Sequence, residues 1–269
     1  MKMNDLKLHY DMLDSDYFAM PAASNSLLRE LDRSPAHLIH AINHPPEPTP
    51  AMRLGTAFHV ATLEADKFDK YWGRGSELKG TTKEGREAKK ELSMQFSPDK
   101  ILKPADYDTV CSMRDSVMRH SIAGKLLEGV ETEVAAIWTD EATGISCKAK
   151  IDGLPGDDDC LIDLKSTLDA SPLAFSKAIA NFSYHRQAAH YLSPFETRDR
   201  FIIIACEKKP PFAVAVYEVS SAALSQGRYE VRDLLERWAD CIEAFGHDGE
   251  WPAYDEVVYQ LDLPVWAQR

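Results

Sequence analysis

The amino-acid sequence predicts a mixed α/β fold, with helices flanking one central sheet and further helices ahead of it. Three observations lead there. Helical patterning dominates the first 130 residues; three strand-like segments follow in quick succession; then come a helix, two more strands and a long amphipathic helix. The chain of 269 residues shows no internal repeat and no linker of shifted composition. It therefore reads as one domain over 1–269, with a helical part to about 130, a sheet core over 131–220, and a terminal helix and tail over 221–269.

Residues 1–20 read as an irregular leading segment. SNSLLRELDRSPAHLIHAI, from Ser24 to about Ile42, starts with Ser and Asn capping candidates, and Leu27, Leu28 and Leu31 make an apolar stripe. Pro35 splits this stretch in two, with Ser34 capping the second helix. HPPEPTP is a loop, and a helix is expected from Met52 to about Ala65. Residues 74–104 are polar and rich in Lys, Glu and Gly, and read as a mobile arm. One helix is expected over 104–128. ETEVAAIWTD, ISCKAKIDGL and CLIDLKST then read as strands, joined by turns at EATG and PGDDD. The second strand alternates Ile145, Cys147, Ala149 and Ile151 against Ser146, Lys148, Lys150 and Asp152. The third sets Ile162 and Leu164 against Asp163 and Lys165. A helix over about 172–193, a buried strand at FIIIAC, a strand at AVAVYEVS and a helix from Ser221 to about Phe245 complete the pattern.

Composition narrows the classes. Apolar residues at 44% and charged residues at 28% suit a packed, water-facing domain. No run approaches the ~18 apolar residues of a membrane span. The first residues carry acids where a signal peptide needs an apolar core, so a cytoplasmic location is expected. Cysteines at 111, 147, 160, 206 and 241 form no C-x-x-C pair, which disfavours a zinc ribbon, a disulfide framework or an iron–sulfur cluster. The net charge of −12 works against a generic nucleic-acid binder, which carries excess Lys and Arg. An acidic chain still binds nucleic acid when its basic groups line one groove and metal ions sit on its carboxylates.

The chemistry concentrates in KAKIDGLPGDDDCLIDLKST. Two neighbouring strands each present a carboxylate, Asp152 and Asp163, and Lys165 follows Asp163 by two residues, on the same face. Opposed Cβ atoms on antiparallel strands lie about 5 Å apart, so one divalent ion can touch both carboxylates. Mg²⁺ prefers oxygen ligands and keeps waters, one of which can act as a nucleophile beside a lysine. A surface hairpin decorated with charge is the plainer reading of the same residues. D-x-K by itself is weak, and the preceding K-x-K-x-D strengthens it.

An Asp ending one strand, followed by D-x-K on the next, resembles the signature of the PD-(D/E)xK nuclease superfamily. LGTAFHVATLE (54–64) resembles the helix motif of the RecB-like branch, and YHRQAAHYL (184–192) resembles its downstream Q-x-x-x-Y. SNSLLRELDRSPAH with PTPAMRLGTAFH is most similar to the exodeoxyribonuclease VIII (RecE) family of prophage recombination exonucleases. The resemblance spans about Ser24 to Ser220. It implies a restriction-endonuclease-like core and Mg²⁺-dependent exonuclease activity on linear double-stranded DNA, running 5′ to 3′ and leaving 3′ single strands. Mn²⁺ as a substitute ion stays open. It also implies a ring-shaped homo-oligomer, which would reconcile the acidic charge with DNA, and a single-strand annealing protein as partner. By position, His59, Asp152, Asp163 and the Leu164 carbonyl would hold metal, Lys165 would be the catalytic lysine, and Gln187 and Tyr191 would reach DNA or support that lysine. Two departures exist: no proline precedes Asp152, and the acid before Lys165 is Asp163 rather than Glu.

Each residue also has a plainer reading. His59 fits a packed core histidine, and Gln187 and Tyr191 fit core-edge packing. Glu131 and Glu133 open the first strand as a second ion site or as a solvated end. Asp157, Asp158 and Asp159 suit an exposed turn. Ser26, Arg33 and Ser34 form either a pocket for a terminal 5′-phosphate or ordinary capping with a surface arginine. Lys83 and Arg86, with Lys79, Lys89 and Lys90, guide DNA or form a solvated face. Two functional alternatives remain: a structure-specific or single-strand nuclease of the same superfamily, and a catalytically silent DNA-binding scaffold.

Overall fold

A computed structural model describes residues 5–156, 159–247 and 249–264; Asp157 and Asp158 of the acidic turn lie outside them. The expected strands form where alternation and β-branched content favoured them: β4 (Glu131–Thr139), β5 (Ser146–Leu154), β6 (Cys160–Thr167), β7 (Arg200–Glu207) and β8 (Val214–Glu218). The leading segment, expected to be irregular, supplies β1 (Lys7–His9) and helix α1 (Asp14–Ala19). Only three residues long, β1 earns its place by pairing with β4, a tertiary contact that local sequence does not announce. The six-stranded sheet runs β1-β4-β5-β6-β7-β8, antiparallel except for the parallel β6–β7 pair. Mixed pairing follows from the connection between β6 and β7, which crosses over through helices.

Two helical layers cover this sheet. On one face lie α2 (Asn25–Arg33), α10 (Tyr184–Leu192) and α11 (Ser221–Phe245), packed on Val134, Ala136, Cys147, Ala149, Ile151, Phe201 and Ile203. On the other, α4 (Pro50–Leu63) and α7 (Pro104–Arg119) bury Phe58 and Met113 against Ile162, Leu164, Ile202 and Ile204. Strand β7 thus feeds both cores, as its continuous apolar run required. The result is the expected α/β architecture: a restriction-endonuclease-like core with a central mixed sheet, flanking helices and added N-terminal helices.

Pro35 does split the early helical run. Ser24 caps α2 and Ser34 caps α3 (Pro35–Asn43), each accepting a backbone N–H three residues on. Thr49 caps α4 in the same way, ahead of Pro50 at its first position. Beyond α4, Glu64 ends one helix and starts α5 (Ala65–Tyr71). The polar segment 74–104, expected as a mobile arm, contains helix α6 (Lys83–Gln95) capped by Thr82, and a small parallel pair, β2 (Gly73–Arg74) with β3 (Ile101–Leu102). Its polarity reflects an exposed helix, started by the Thr82 cap and by the Arg86 side chain turned back to the Thr81 carbonyl. The stretch 104–128 is α7 followed by the short α8 (Ala123–Leu126). Likewise 172–193 is two helices, α9 (Pro172–Asn181) and α10, separated at Ser183, whose φ of 54° is left-handed.

The sheet is irregular where β5 meets β6. The only register pair of these two strands among the described residues is Gly153 with Ile162. A Cβ on Gly153 would sit 3.1 Å from the Ile162 Cβ, so glycine permits the close approach there. The first half of β5 leaves β6 and its free backbone groups are taken up by another segment. Ala23 donates to the Ser146 carbonyl at 2.8 Å and accepts from the Lys148 N–H at 2.8 Å. His190, fully buried on α10, places Nε2 3.2 Å from both the Ala23 and Lys148 carbonyls, and its ring lies 4.9 Å from that of Trp138, tilted by 45°. The proton therefore belongs on Nε2, and Nδ1 is buried without a partner.

Burial holds His190 neutral, with its pKa pushed down to about 4. The unfolded chain takes up that proton near the ordinary histidine value while the folded chain does not, so stability falls as pH drops from about 6.5 toward 4. Over that window His190 accounts for roughly 3 kcal/mol. Urea unfolding at pH 7 and 4.5, comparing the wild type with His190→Gln, should show the wild type losing more of its stability on acidification. Equal losses in both would mean that His190 protonates freely in the folded state.

Candidate metal centre and catalytic lysine

The departure of β5 from β6 creates the site. Asp152 stands at the point of divergence, and its Oδ2 accepts the backbone N–H of Leu164 on β6 at 2.7 Å. It also lies 3.5 Å from Nδ1 of His59, projected from the middle of α4. Glu133 on β4 falls between the register pairs Thr132–Gly153 and Val134–Ile151, opposite Asp152. Its φ of 55° is a left-handed conformation that a residue with a Cβ adopts at a cost. Alternation slips at the same place, since Ile151 and Leu154 both enter the core beneath α10 and α11 although three residues apart. Ligand atoms of His59, Glu133 and Asp152 all lie within 4.8 Å of one another. Two carboxylates and an imidazole form a donor set that suits a divalent ion such as Mg²⁺ or Mn²⁺.

Asp163 is organised separately. Its carboxylate is 2% exposed, with Lys165 Nζ donating to Oδ1 at 2.8 Å and lying 2.7 Å from Oδ2. Gln187 donates its amide to Oδ1 at 2.7 Å, and the Tyr191 hydroxyl interacts in turn with Gln187. The two helix residues at i and i+4 therefore reach the lysine through Asp163. Lys165 itself sits 5.1 Å from the centroid of the Tyr184 ring, a cation–π contact that the sequence motif did not flag. Tyr184 opens α10 three residues ahead of Gln187, so one-turn spacing was the signal that placed it on the site.

The charges interlock. Burial opposes ionisation of Asp152, but the His59 ring, Lys165 and the Leu164 N–H outweigh it and hold the pKa below the usual carboxylate value. For His59 burial also disfavours the charge, and Asp152 reverses this, raising the pKa. Asp163 is pushed upward by burial and by Asp152, with Lys165 opposing. Lys165 resists burial because Asp163 and Asp152 stabilise its ammonium, so its pKa rises and the group stays charged at neutral pH. Burial pushes the Glu133 carboxyl up, helped by Asp152 and opposed by Lys150.

The remaining expected site residues have these surroundings. Asp163 stands outside the three-residue cluster, and the Leu164 backbone N–H donates to Asp152. Ser34 is 2% exposed and committed to capping, with Oγ 2.7 Å from His37 Nδ1. Arg33 pairs with Glu30 at 2.8 Å, and Ser26 Oγ lies 3.0 Å from Ser24 Oγ. Lys83 opens α6, where Arg86 turns back to the Thr81 carbonyl at 3.1 Å. Glu131 pairs with Leu154 at the open end of β4, and Asp159 forms an ion pair with Arg200 at 3.1 Å. The five cysteines are free thiols, four of them buried. Among the described residues no helix is long and apolar enough to cross a membrane.

A family profile described as "PDDEXK-like domain of unknown function (DUF3799)" matches residues 24–258. The chain is also similar in fold to the crystal structure of a protein from Eubacterium rectale described as a candidate exonuclease. That alignment has a TM-score of 0.60 and 16% identity, and covers 95% of this chain and 97% of the other. A second crystal structure, that of SSO0001, aligns over 82% of this chain and 87% of its own at 13% identity, with a TM-score of 0.29, too low to bear on the fold. No curated protein matches the chain significantly.

An ion held by His59, Glu133 and Asp152 binds the folded chain and not the unfolded one, so it raises the melting temperature. At about 100 times its Kd the gain is about 2.7 kcal/mol. Thermal melts with Mn²⁺ against EDTA should show an upward shift of several degrees in the wild type and none in His59→Ala or Asp152→Asn. An undiminished shift in both variants would put the ion somewhere else.

Proposed function

We propose, from the premise that this chain belongs to the PDDEXK-like family DUF3799, that it is a metal-dependent exonuclease acting on linear double-stranded DNA. The observation that carries the reading is the Lys165 ammonium, 2.7 Å from Asp163 and electrostatically coupled to Asp152 beside the His59–Glu133–Asp152 cluster. Polarity from 5′ to 3′, with a 3′ single strand as product, rests on the resemblance to the exodeoxyribonuclease VIII family. So do the ring-shaped homo-oligomer and the annealing partner. The E. rectale protein of similar fold, described as an exonuclease candidate, fits this reading.

When bound, Mg²⁺ supplies a polarised water and neutralises charge on the scissile phosphate. His59, Glu133 and Asp152 would hold it as side-chain ligands, with Asp163 and the Leu164 carbonyl as the further ligands that the resemblance implies. Lys165 orients the attacking water and offsets negative charge building on the phosphate oxygens. Asp163 fixes the lysine, and Gln187 fixes Asp163, so the ammonium is held before DNA enters. Tyr191 stays protonated, because burial pushes its phenol well above the ordinary range, and it steadies Gln187. Tyr184 lies under Lys165 and limits its rotamers. Ser26 and Arg33 on α2 take a terminal phosphate in this scheme, with Ser34 shaping the corner between α2 and α3. Lys83 and Arg86 guide the duplex from α6, and an enclosing ring lets a chain of net charge −12 retain DNA by shape.

The test is digestion of linear and closed-circular duplex with Mg²⁺ or EDTA, with the linear form labelled at the 5′ or 3′ end of one strand. Early release of the 5′ label from linear DNA is expected, with the circle left intact and EDTA abolishing the reaction. Lys165→Ala and Asp163→Ala should each lower the rate by about 10² to 10⁴. A cut circle would make the protein an endonuclease. Binding of DNA with no Mg²⁺-dependent cleavage would leave only the scaffold function.

A further inference from the structure

Lys150 is a second lysine of the site, paired with Glu133 where Lys165 is paired with Asp163. It lies on the same face of β5 as Lys148 and Asp152, at spacings of two residues. Its Nζ is 3.0 Å from Glu133 Oε2, a diagonal contact across β4 and β5, where Lys150 itself pairs in register with Ala135. From the other side it bonds the carboxylate of Asp14 on α1. That helix is fastened in place by Lys148, whose buried ammonium donates to the Tyr17 and Met20 carbonyls at 2.7 Å each. Lys150 is thus clamped between two acids, its side chain 22% exposed and that of Glu133 15%. Glu133 in turn belongs to the metal cluster, aimed there by a strained backbone.

Geometry gives the consequence. Glu133 already divides its carboxylate between the cluster and the Lys150 ammonium, 3.0 Å from Oε2, so a second divalent ion on that side of Glu133 would meet a fixed positive charge. We infer that Lys150 substitutes for a second divalent ion at Glu133, so that the centre takes one ion, with Lys150 as a positioning residue for Glu133. The inference rests on the reading of the cluster as the metal centre.

The number of Mn²⁺ ions bound per chain, counted from loss of the free-ion electron paramagnetic resonance signal at neutral pH, tests it on the full-length protein. The wild type should bind one. Lys150→Met and Lys150→Gln, each checked for a cooperative thermal transition, should bind two. Adding Glu133→Gln to either should return the count to one. A count of one in both Lys150 variants, of two in the wild type, or of two after Glu133 is also replaced, overturns the role of Lys150 and leaves the metal centre standing. No ion in any of them removes the metal centre itself, and the inference with it.

Discussion

The parting of β5 from β6 at Asp152 and Gly153 is the constraint on which the rest of the molecule depends. Two strands that stayed paired along their length would present Asp152 and Asp163 side by side and would bury nothing else between them. Here they touch at Gly153 and Ile162 and then separate, which lets Asp152 reach across to His59 on α4 while Asp163 meets Gln187 on α10. The separation strands backbone groups of β5 that must find partners. Ala23 and His190 provide them, and this pins the start of α2 and the end of α10 to the sheet. One local departure from ideal pairing thereby sets the positions of three helices around the site.

Several buried charges would be unfavourable one at a time. Asp163 at 2% exposure and Lys165 beside it each offset part of the other's desolvation, and the Gln187 amide completes the hydrogen bonding. Such an arrangement contributes little net stability. Its value lies in rigidity: an ammonium restrained by Asp163 and by the Tyr184 ring needs little reorganisation when negative charge develops near it. The strained backbone at Glu133 belongs to the same logic, as the sheet holds a residue in an unfavourable conformation where its carboxylate is wanted.

The N-terminal segment looks dispensable by length, since β1 and α1 are short. Yet Lys148 and Lys150 fasten α1 across the face of β5 that carries Asp152, so these first residues are part of the surroundings of the centre. A lysine as buried as Lys148, its pKa lowered by burial, is tolerated because helix-end carbonyls accept from it and the Tyr17 ring lies 4.8 Å away.

The sequence by itself determined the fold class, the strands β4 to β8, the break at Pro35 with its Ser34 cap, and the candidates Asp152, Asp163, Lys165, Gln187 and His59. Those features are local: alternation, capping chemistry and the spacing of a short motif all act within a few residues. The helix inside the polar segment 74–104 was less legible, because exposed polar composition suits a helix and a loop equally well. Only the tertiary structure decided that His59, Glu133 and Asp152 converge while Asp163 turns to Lys165 and Gln187. The same holds for Tyr184 beneath the lysine and for Lys150 held between Glu133 and Asp14. Those residues come from elements far apart in the chain, and their meeting depends on how two strands diverge and which helix fills the gap. Neither leaves a period or a spacing in the sequence.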